Sequence, residues 1–356
     1  MAHSIKSLIE SWDGIGVVMR FDQETGTWIF IALHSDQLGM PSGGTRMKVY
    51  PSPSAGLRDA MRLARGMTQK WAAVGLNYGG GKAVLSVPRV LTSKQREGLL
   101  RRYGRLIESL KGSFATGPDL GTSAQDMSIV AQETAFVHGV DRDTGVSIDP
   151  GPYTAKGVFE GIKATMRHVF GSESVAGRVV HIQGVGGVGD PLARLLKQAG
   201  AQIILSDLDS KRAERLSEEL GGSDTFEPHT AYEAACDVYA PCAVGGTLNS
   251  ETIRELKCRI VVGSANNQLE GPEHGRELHE RGILYAPDYI VNAGGAIALG
   301  LMTQGVRDAA TIDSRIAHIG VSLAEILKVA KEKGESPDEA ATRVVRTRLN
   351  PNGHSA

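Results

Sequence analysis

Arg178-Val-Val-His-Ile-Gln-Gly184-Val-Gly-Gly-Val-Gly189 decides the reading of this chain. Arg178 to Ile182 carries the apolar run of a short buried strand, and Gln183 leads into Gly184-Val-Gly186-Gly187-Val188-Gly189, a complete G-x-G-x-x-G. Helical apolar spacing follows from Leu192 to Ala199, Gly200 stops it, and Ala201 to Leu205 reads as a second strand running on to Asp207. Strand, glycine loop, helix, strand and acid in that order form a dinucleotide site. The glycines allow a tight turn and close approach of a pyrophosphate, and the helix start offers free N–H groups and a positive dipole end. Asp207 stands 23 residues beyond Gly184. It is suited to accept hydrogen bonds from ribose hydroxyls and to repel a 2′-phosphate, which favours NAD over NADP. Asp190-Pro191 places a proline in the first helical turn, where its missing N–H costs little.

A second stretch, Gly66-Met-Thr-Gln-Lys70 through Gly79-Gly-Gly-Lys82, sets two lysines on either side of a glycine run. Buried ammonium groups are costly unless something negative meets them, so the pattern points to a lined cleft that receives an anion. The glycines would permit close approach and positive φ. The plainer alternative is a solvated Lys70 and a glycine turn before a strand, Lys82 to Val87. Thr116-Gly-Pro-Asp119-Leu-Gly121 adds a carboxylate in a stiffened loop. Such an acid is often only a turn former or helix cap. Beside Lys82 it would tune a lysine that desolvation moves toward neutrality, making that lysine a base.

Lys+Arg number 39 against 40 Asp+Glu, so charge gives no bias toward nucleic acid or a membrane. No apolar run reaches membrane-span length, and Met1 to Gly14 lacks the apolar core of a signal peptide. Cys236, Cys242 and Cys258 fit no zinc spacing and are expected as free thiols in a cytoplasmic setting. His274 and His279 are five apart rather than four and are read as surface residues, so no metal is expected. At 356 residues two domains are expected, both α/β. Residues 1–150 begin with a helix (Ile5 to Trp12) and a hairpin of strands 16–21 and 27–33. Helices are expected at about 54–75, 92–111 and 123–138, and Val140 to Pro152 reads as a linker. Residues 151–330 carry a helix (Thr154 to Phe170) and the alternating βα half. A stripe of Ile312, Ile316, Ile319, Leu323 and Ile326 marks a long helix. In the closing segment 331–356, Ser336-Pro-Asp-Glu339 is a capping box for a last one.

Together these features resemble the Glu/Leu/Phe/Val dehydrogenase family of amino acid dehydrogenases across nearly the whole chain. The likeness runs through Gly43-Gly-Thr-Arg46, Gly66 to Lys70, Gly79 to Lys82, Gly117-Pro-Asp119, Asp237 to Cys242, Gly263-Ser-Ala-Asn-Asn267 and Tyr285 to Gly295. The resemblance implies an N-terminal substrate-binding and oligomerisation domain, a C-terminal Rossmann domain, a cleft between them, and a homo-oligomer. It implies that Lys70, with the Gly43-Gly44 backbone and Asn266, binds the substrate α-carboxylate. Lys82 would be the base that activates water, and Asp119 the proton shuttle at the substrate nitrogen. Thr154, Gly184, Gly186, Gly187, Val188, Gly189, Asp207, Leu208, Arg212, Ala240, Pro241, Ala265, Asn266 and Asn292 would hold NAD.

The implied reaction is NAD-dependent oxidative deamination of an L-amino acid to its 2-oxo acid and ammonium. Ser42 stands where a glutamate-specific member needs a cation, so the side-chain pocket should be apolar. Ser42, Met67, Gly117, Pro118, Ala296 and Leu299 would line it. Small residues at 42 and 296 enlarge that cavity and point to phenylalanine, whereas Asn266 to Leu269 and Tyr285 to Asn292 look leucine-type. A branched-chain enzyme for leucine or valine is the alternative. A non-catalytic dinucleotide sensor would have no need of Lys70, Lys82 and Asp119 together, and a hydroxy-acid dehydrogenase would need a His–acid motif that is not found.

Overall fold

Strands alternate with helices throughout residues 5–141, 144, 145 and 148–349, the residues that the computed structural model describes. They fall into two units. One runs to Asp149 and takes in Leu299–Arg307; the other holds Pro150–Ala298 and the chain from Asp308 on.

The first unit runs α1 (Ile5–Glu10), β1 (Gly16–Asp22), β2 (Thr27–Ser35), β3 (Pro41–Lys48), α2 (Pro53–Ala73), β4 (Gly79–Ser86), α3 (Ser93–Ser109), β5 (Ala115–Pro118) and α4 (Ala124–Ala131). Its sheet has the order β1-β2-β4-β3-β5. β1 and β2 form the expected hairpin, closed at Asp22 opposite Thr27. The inner strand β3 runs parallel to both β4 and β5. Gly43 and Gly44 at its centre hide it from propensity arguments, because glycine is a poor strand former. α2 starts on Ser52, whose hydroxyl accepts from the Ala55 amide, with Pro53 in its first turn. Its Leu57, Ala60, Met61 and Ala64 pack on Phe30, Ala32 and Val84. The opposite face of the sheet (Ile29, Ile31, Leu85) meets Leu99, Leu100, Tyr103 and Ile107 of α3. Each buried leucine or isoleucine there contributes about 1.5–3 kcal/mol.

Two expectations change here. Gly79–Gly81 are the first residues of β4, not a turn, and none has positive φ. They are needed for contact instead: a methyl at Gly80 would collide with the Thr68 side chain of α2, and one at Gly81 would lie 2.8 Å from the Phe114 ring. The helix expected over 123–138 stops at Ala131. Beyond it Val137 bridges Thr116 in parallel, with the His138 amide donating to the Thr116 carbonyl at 2.6 Å. Pairing with β5 competes with the helix and wins.

The second unit runs α5 (Gly151–Phe170), β6 (Val179–Gln183), α6 (Gly189–Gln198), β7 (Gln202–Ser206), α7 (Ser210–Glu219), β8 (Asp224–Thr225), β9 (Val238–Pro241), α8 (Ser250–Glu255), β10 (Ile260–Val261), α9 (Glu273–Glu280), β11 (Leu284–Tyr285), α10 (Asp288–Val291), α11 (Gly294–Thr303), α12 (Ala309–Lys333) and α13 (Pro337–Leu349). The sheet is all parallel in the order β11-β10-β9-β6-β7-β8. The chain winds outward from β6 in one direction and returns to wind outward from β9 in the other. That leaves a switch point beyond the ends of β6 and β9, where doubly wound sheets take ligands. The isoleucine stripe of α12 is buried, and Gly157 lets α5 come so close that a methyl there would sit 2.8 Å from Ile319. Ser336 and Glu339 close the expected capping box, the Glu339 amide donating to Ser336 Oγ at 3.3 Å and the Ser336 amide to Glu339 Oε2 at 3.0 Å. His274 is a correction. It is buried, not superficial, because its Nδ1 accepts from the Gly271 amide at 2.9 Å at the start of α9. The linker expected over 140–152 lies partly outside the described residues, and its last two residues belong to α5.

Candidate active site

Strand periodicity builds the candidate catalytic group. Ser42, Gly44 and Arg46 share one face of β3, and the register with β4 and β5 brings Gly80, Lys82, Ala115 and Gly117 to that same face. Asp119, one residue past β5, continues it. Lys82 is 5% exposed, and its Nζ lies 3.2 Å from Asp119 Oδ1. Arg46, 9% exposed, donates from Nε to Asp119 Oδ2 at 2.8 Å and from a terminal nitrogen to Asp59 Oδ2 at 3.1 Å. Tyr50 donates its hydroxyl to Asp59 at 2.7 Å, and Arg62 reaches the other Asp59 oxygen at 2.8 Å. Gly44 is obligatory in this arrangement, since a methyl there would lie 2.9 Å from Asp119 Cβ.

Burial pushes the Lys82 ammonium below its ordinary pKa; Asp119 opposes the shift, and Arg46 adds to it. Burial alone would raise Asp119, but Lys82 and Arg46 hold it below the usual carboxylate range. The result is a lysine able to lose its proton beside a carboxylate that stays ionised. Arg46 and Asp59 were not among the sequence candidates. Arg46 stood inside the Gly43-Gly-Thr-Arg46 motif, but only α2 folding over the sheet reveals Asp59.

Around this pair lie other candidates from the first unit. Lys70 is half-buried in the last turn of α2, one turn beyond Met67. Gly43 must be glycine, because a methyl would collide with the Gly81 carbonyl and lie 3.0 Å from Met67 Cγ. Ser42 is fully buried, takes a hydrogen bond on its carbonyl from Trp71 Nε1 at 3.0 Å, and meets His138 Nε2 through its hydroxyl at 2.7 Å. Gly117 and half-buried Pro118 close β5, and Leu299, 6% exposed, packs by Gly139. Ala296 and Asn266 belong to the second unit.

That unit carries the glycine loop. Gly184 has φ +92°, and a methyl on it would lie 2.7 Å from Ala243, so it serves the turn. A methyl on Gly189 would strike the Gly184 carbonyl, so it serves strand–helix contact, while Gly186 and Gly187 face open space where a pyrophosphate would approach. Val188 caps α6. Asp207 Oδ2 accepts from the Val185 amide and Oδ1 from the Asp209 amide, both at 2.9 Å, which fixes the acid against the loop. Leu208 is exposed, and exposed Arg212 pairs loosely with Asp209 at 4.0 Å. Ala240 and Pro241 end β9 at the switch point, with the Ala265 amide donating to the Pro241 carbonyl at 3.0 Å. Asn292 Nδ2 donates to Asn266 Oδ1 at 2.8 Å and to the Ser264 carbonyl at 3.2 Å. Its Oδ1 is a buried acceptor with no protein partner, suited to an amide donor such as a carboxamide. Half-buried Thr154 donates to the Pro150 carbonyl beside Gly295, where a methyl would lie 2.5 Å from its Oγ1. These residues fit a nicotinamide dinucleotide. Among the described residues no cluster of His, Cys, Asp or Glu could hold a metal ion, and no helix is long and apolar enough to cross a membrane.

Comparison with known proteins shows the family. Residues 17–136 match the family described as Glu/Leu/Phe/Val dehydrogenase, dimerisation domain, and residues 145–350 match Glutamate/Leucine/Phenylalanine/Valine dehydrogenase. The chain is 41% identical to leucine dehydrogenase of Bacillus cereus over 98% of its own length and 94% of that protein's. It is 40% identical to phenylalanine dehydrogenase of Bacillus thermotolerans, over 95% and 88% respectively. The crystal structure of L-tryptophan dehydrogenase from Nostoc punctiforme matches with a TM-score of 0.82 at 36% identity, covering 98% of this chain and all of that one. The chain therefore belongs to the Glu/Leu/Phe/Val dehydrogenase family, enzymes that oxidise the CH–NH2 group of amino acids.

Proposed function

We propose that this enzyme catalyses the reversible NAD-dependent oxidative deamination of an apolar L-amino acid, phenylalanine foremost. Amino acid, NAD⁺ and water give the 2-oxo acid, ammonium, NADH and a proton. The observation that carries the reading is the buried Lys82–Asp119 pair with Arg46 behind it. Lys70 and the Gly43-Gly44 amides hold the α-carboxylate, a point charge plus N–H donors suiting that anion. The bound dinucleotide supplies the hydride acceptor. Asp119 takes a proton from the substrate amine so that Cα can give up its hydride. Lys82, in its neutral form, then removes a proton from water as that water attacks the imino carbon, and the nitrogen leaves protonated through Asp119.

Asp207 supports NAD over NADP, and the orphan acceptor of Asn292 supports a carboxamide partner. The first 150 residues serve substrate binding and oligomerisation, 151–330 bind the dinucleotide, and 331–356 form a helical C-terminal segment. The description of the first matched region as a dimerisation domain supports a homo-oligomer. Free cysteines support a reducing, cytoplasmic setting.

Phenylalanine is favoured because position 117 has no side chain, position 296 has only a methyl, and Ser42 turns its hydroxyl to His138. Leucine is the second reading, supported by the 41% identity to a leucine dehydrogenase, although 40% to a phenylalanine enzyme separates the two little. The test is NADH consumption with ammonium and a panel of 2-oxo acids. Highest kcat/KM with phenylpyruvate is expected. A strong preference for the leucine-derived acid makes the enzyme branched-chain specific, and no turnover with any of them sinks the reading.

A further inference from the structure

Ser42, His138, Thr303 and Leu299 form one chain of hydrogen bonds within the first unit, buried at Ser42 and His138 and half-buried at Thr303. Ser42 Oγ lies 2.7 Å from His138 Nε2, His138 Nδ1 lies 3.0 Å from Thr303 Oγ1, and Thr303 Oγ1 donates to the Leu299 carbonyl at 2.8 Å. The donor at the far end fixes every link. Thr303 spends its only proton on Leu299, so it accepts from His138, and Nδ1 carries the imidazole proton. In the neutral ring Nε2 is then an acceptor, and Ser42 must donate to it. A methyl on Gly117 would be 3.6 Å from His138 Cβ, and one on Gly139 would be 3.1 Å from Leu299 Cδ1. Residues 138 and 139 thus stand against three of the positions assigned to the side-chain pocket: 42, 117 and 299. On its other side the imidazole meets the Tyr78 ring edge-on at 5.4 Å, and Tyr78 in turn donates to the Gly300 carbonyl at 3.2 Å.

We propose that His138 is a positioning residue that sets substrate specificity, by accepting the hydrogen bond of the Ser42 hydroxyl and so presenting an uncharged aliphatic or aromatic side chain with a wall that has no unmet donor. The inference rests on the reading above that Ser42 lines the side-chain pocket. A serine in an apolar pocket is otherwise a liability, because an unpaired buried hydroxyl is costly. Here its proton points away from the substrate, and the pocket keeps the room of a small residue without its polarity. Selection is therefore for uncharged side chains long enough to reach position 42. A side chain of one methyl never touches that wall.

The experiment is a double-mutant cycle of Ser42→Ala, His138→Leu and the double variant, with His138→Gln as the conservative change, run on the whole enzyme. kcat and KM are measured for reductive amination of phenylpyruvate and of pyruvate, below the lowest melting temperature of the set. His138→Leu should lower kcat/KM for phenylpyruvate roughly 5- to 150-fold, mainly through KM, the cost of leaving one buried hydroxyl unpaired. Pyruvate should change less than about threefold, and His138→Gln, whose amide oxygen still accepts from Ser42, should retain most of the phenylpyruvate activity. The double variant should recover toward wild type, since removing both partners restores an apolar wall. Independent effects in the double variant, or equal losses on the two 2-oxo acids, overturn the inference and leave His138 a packing residue. If His138→Leu does not fold, Ser42→Ala against His138→Gln decides. Ser42→Ala strands the imidazole acceptor and should lose phenylpyruvate selectivity while His138→Gln keeps it; the reverse order overturns the inference. Wild type that turns over neither phenylpyruvate nor pyruvate overturns the phenylalanine reading on which the inference rests, an outcome distinct from any result of the cycle.

Discussion

Arg46 Nε donates to Asp119 Oδ2 at 2.8 Å, on the oxygen that Lys82 leaves free. The guanidinium spans two carboxylates, Asp119 and Asp59, and fixes the rotamer of the acid beside Lys82. A positive charge there also lowers the Lys82 pKa, so its removal has a definite sign. In Arg46→Gln the Lys82 ammonium should hold its proton to higher pH. The ascending limb of kcat/KM for deamination should then move upward in pH, with kcat lower by about 10- to 100-fold from misplacement of Asp119. A limb that stays in place or moves down would contradict the role given to Arg46. Arg46→Lys keeps the positive charge and should leave the limb near its wild-type position, but it should not rescue kcat, because a point charge cannot serve two carboxylates in a planar fork.

Lys82 itself has the sharper expectation. Lys82→Ala should reduce kcat by roughly 10²–10⁴-fold, the contribution of a positioned general base. NADH affinity, read by fluorescence titration, should stay near wild type, because the dinucleotide residues belong to the other unit. Retention of more than about a tenth of wild-type kcat would falsify the assignment.

Asp207, held by the Val185 amide, should exclude a 2′-phosphate by like charge. Measured at one moderate ionic strength, kcat/KM should be higher with NAD⁺ than with NADP⁺ by at least tenfold, and Asp207→Ser should narrow the gap, at about 1.4 kcal/mol for each tenfold. Equal use of the two cofactors by wild type is the contrary result.

On the proposal that residue 296 lines the side-chain pocket, Ala296→Val adds two methyl carbons there. Overpacking of that kind costs about 1–3 kcal/mol, so the ratio of kcat/KM for phenylalanine over leucine or valine should fall roughly 5- to 150-fold. An unchanged ratio would mean that residue 296 does not line the pocket.

The sequence by itself determined the local chemistry. Gly184, Gly186 and Gly189 are needed wherever a strand turns into a helix around a phosphate, and the roles follow from steric facts about a missing Cβ. The capping box at Ser336, the isoleucine stripe of α12 and the hairpin at Asp22–Thr27 are equally local, each set by bonds or contacts a few residues apart. Lys82 and Asp119 were legible as candidates because a buried cation demands a partner. What only the tertiary structure decided depends on distant pairing. β3 exists because β4 and β5 flank it, against the preference of its two glycines. The helical pattern running to 138 yields to pairing of Val137 with Thr116, and that competition is what delivers His138 to Ser42. Asp59 lies 13 residues from Arg46 in the chain and meets it only because α2 folds back over the sheet. Periodicity reports which face of an element is apolar; it carries no information about which polar groups two packed elements will bring into contact.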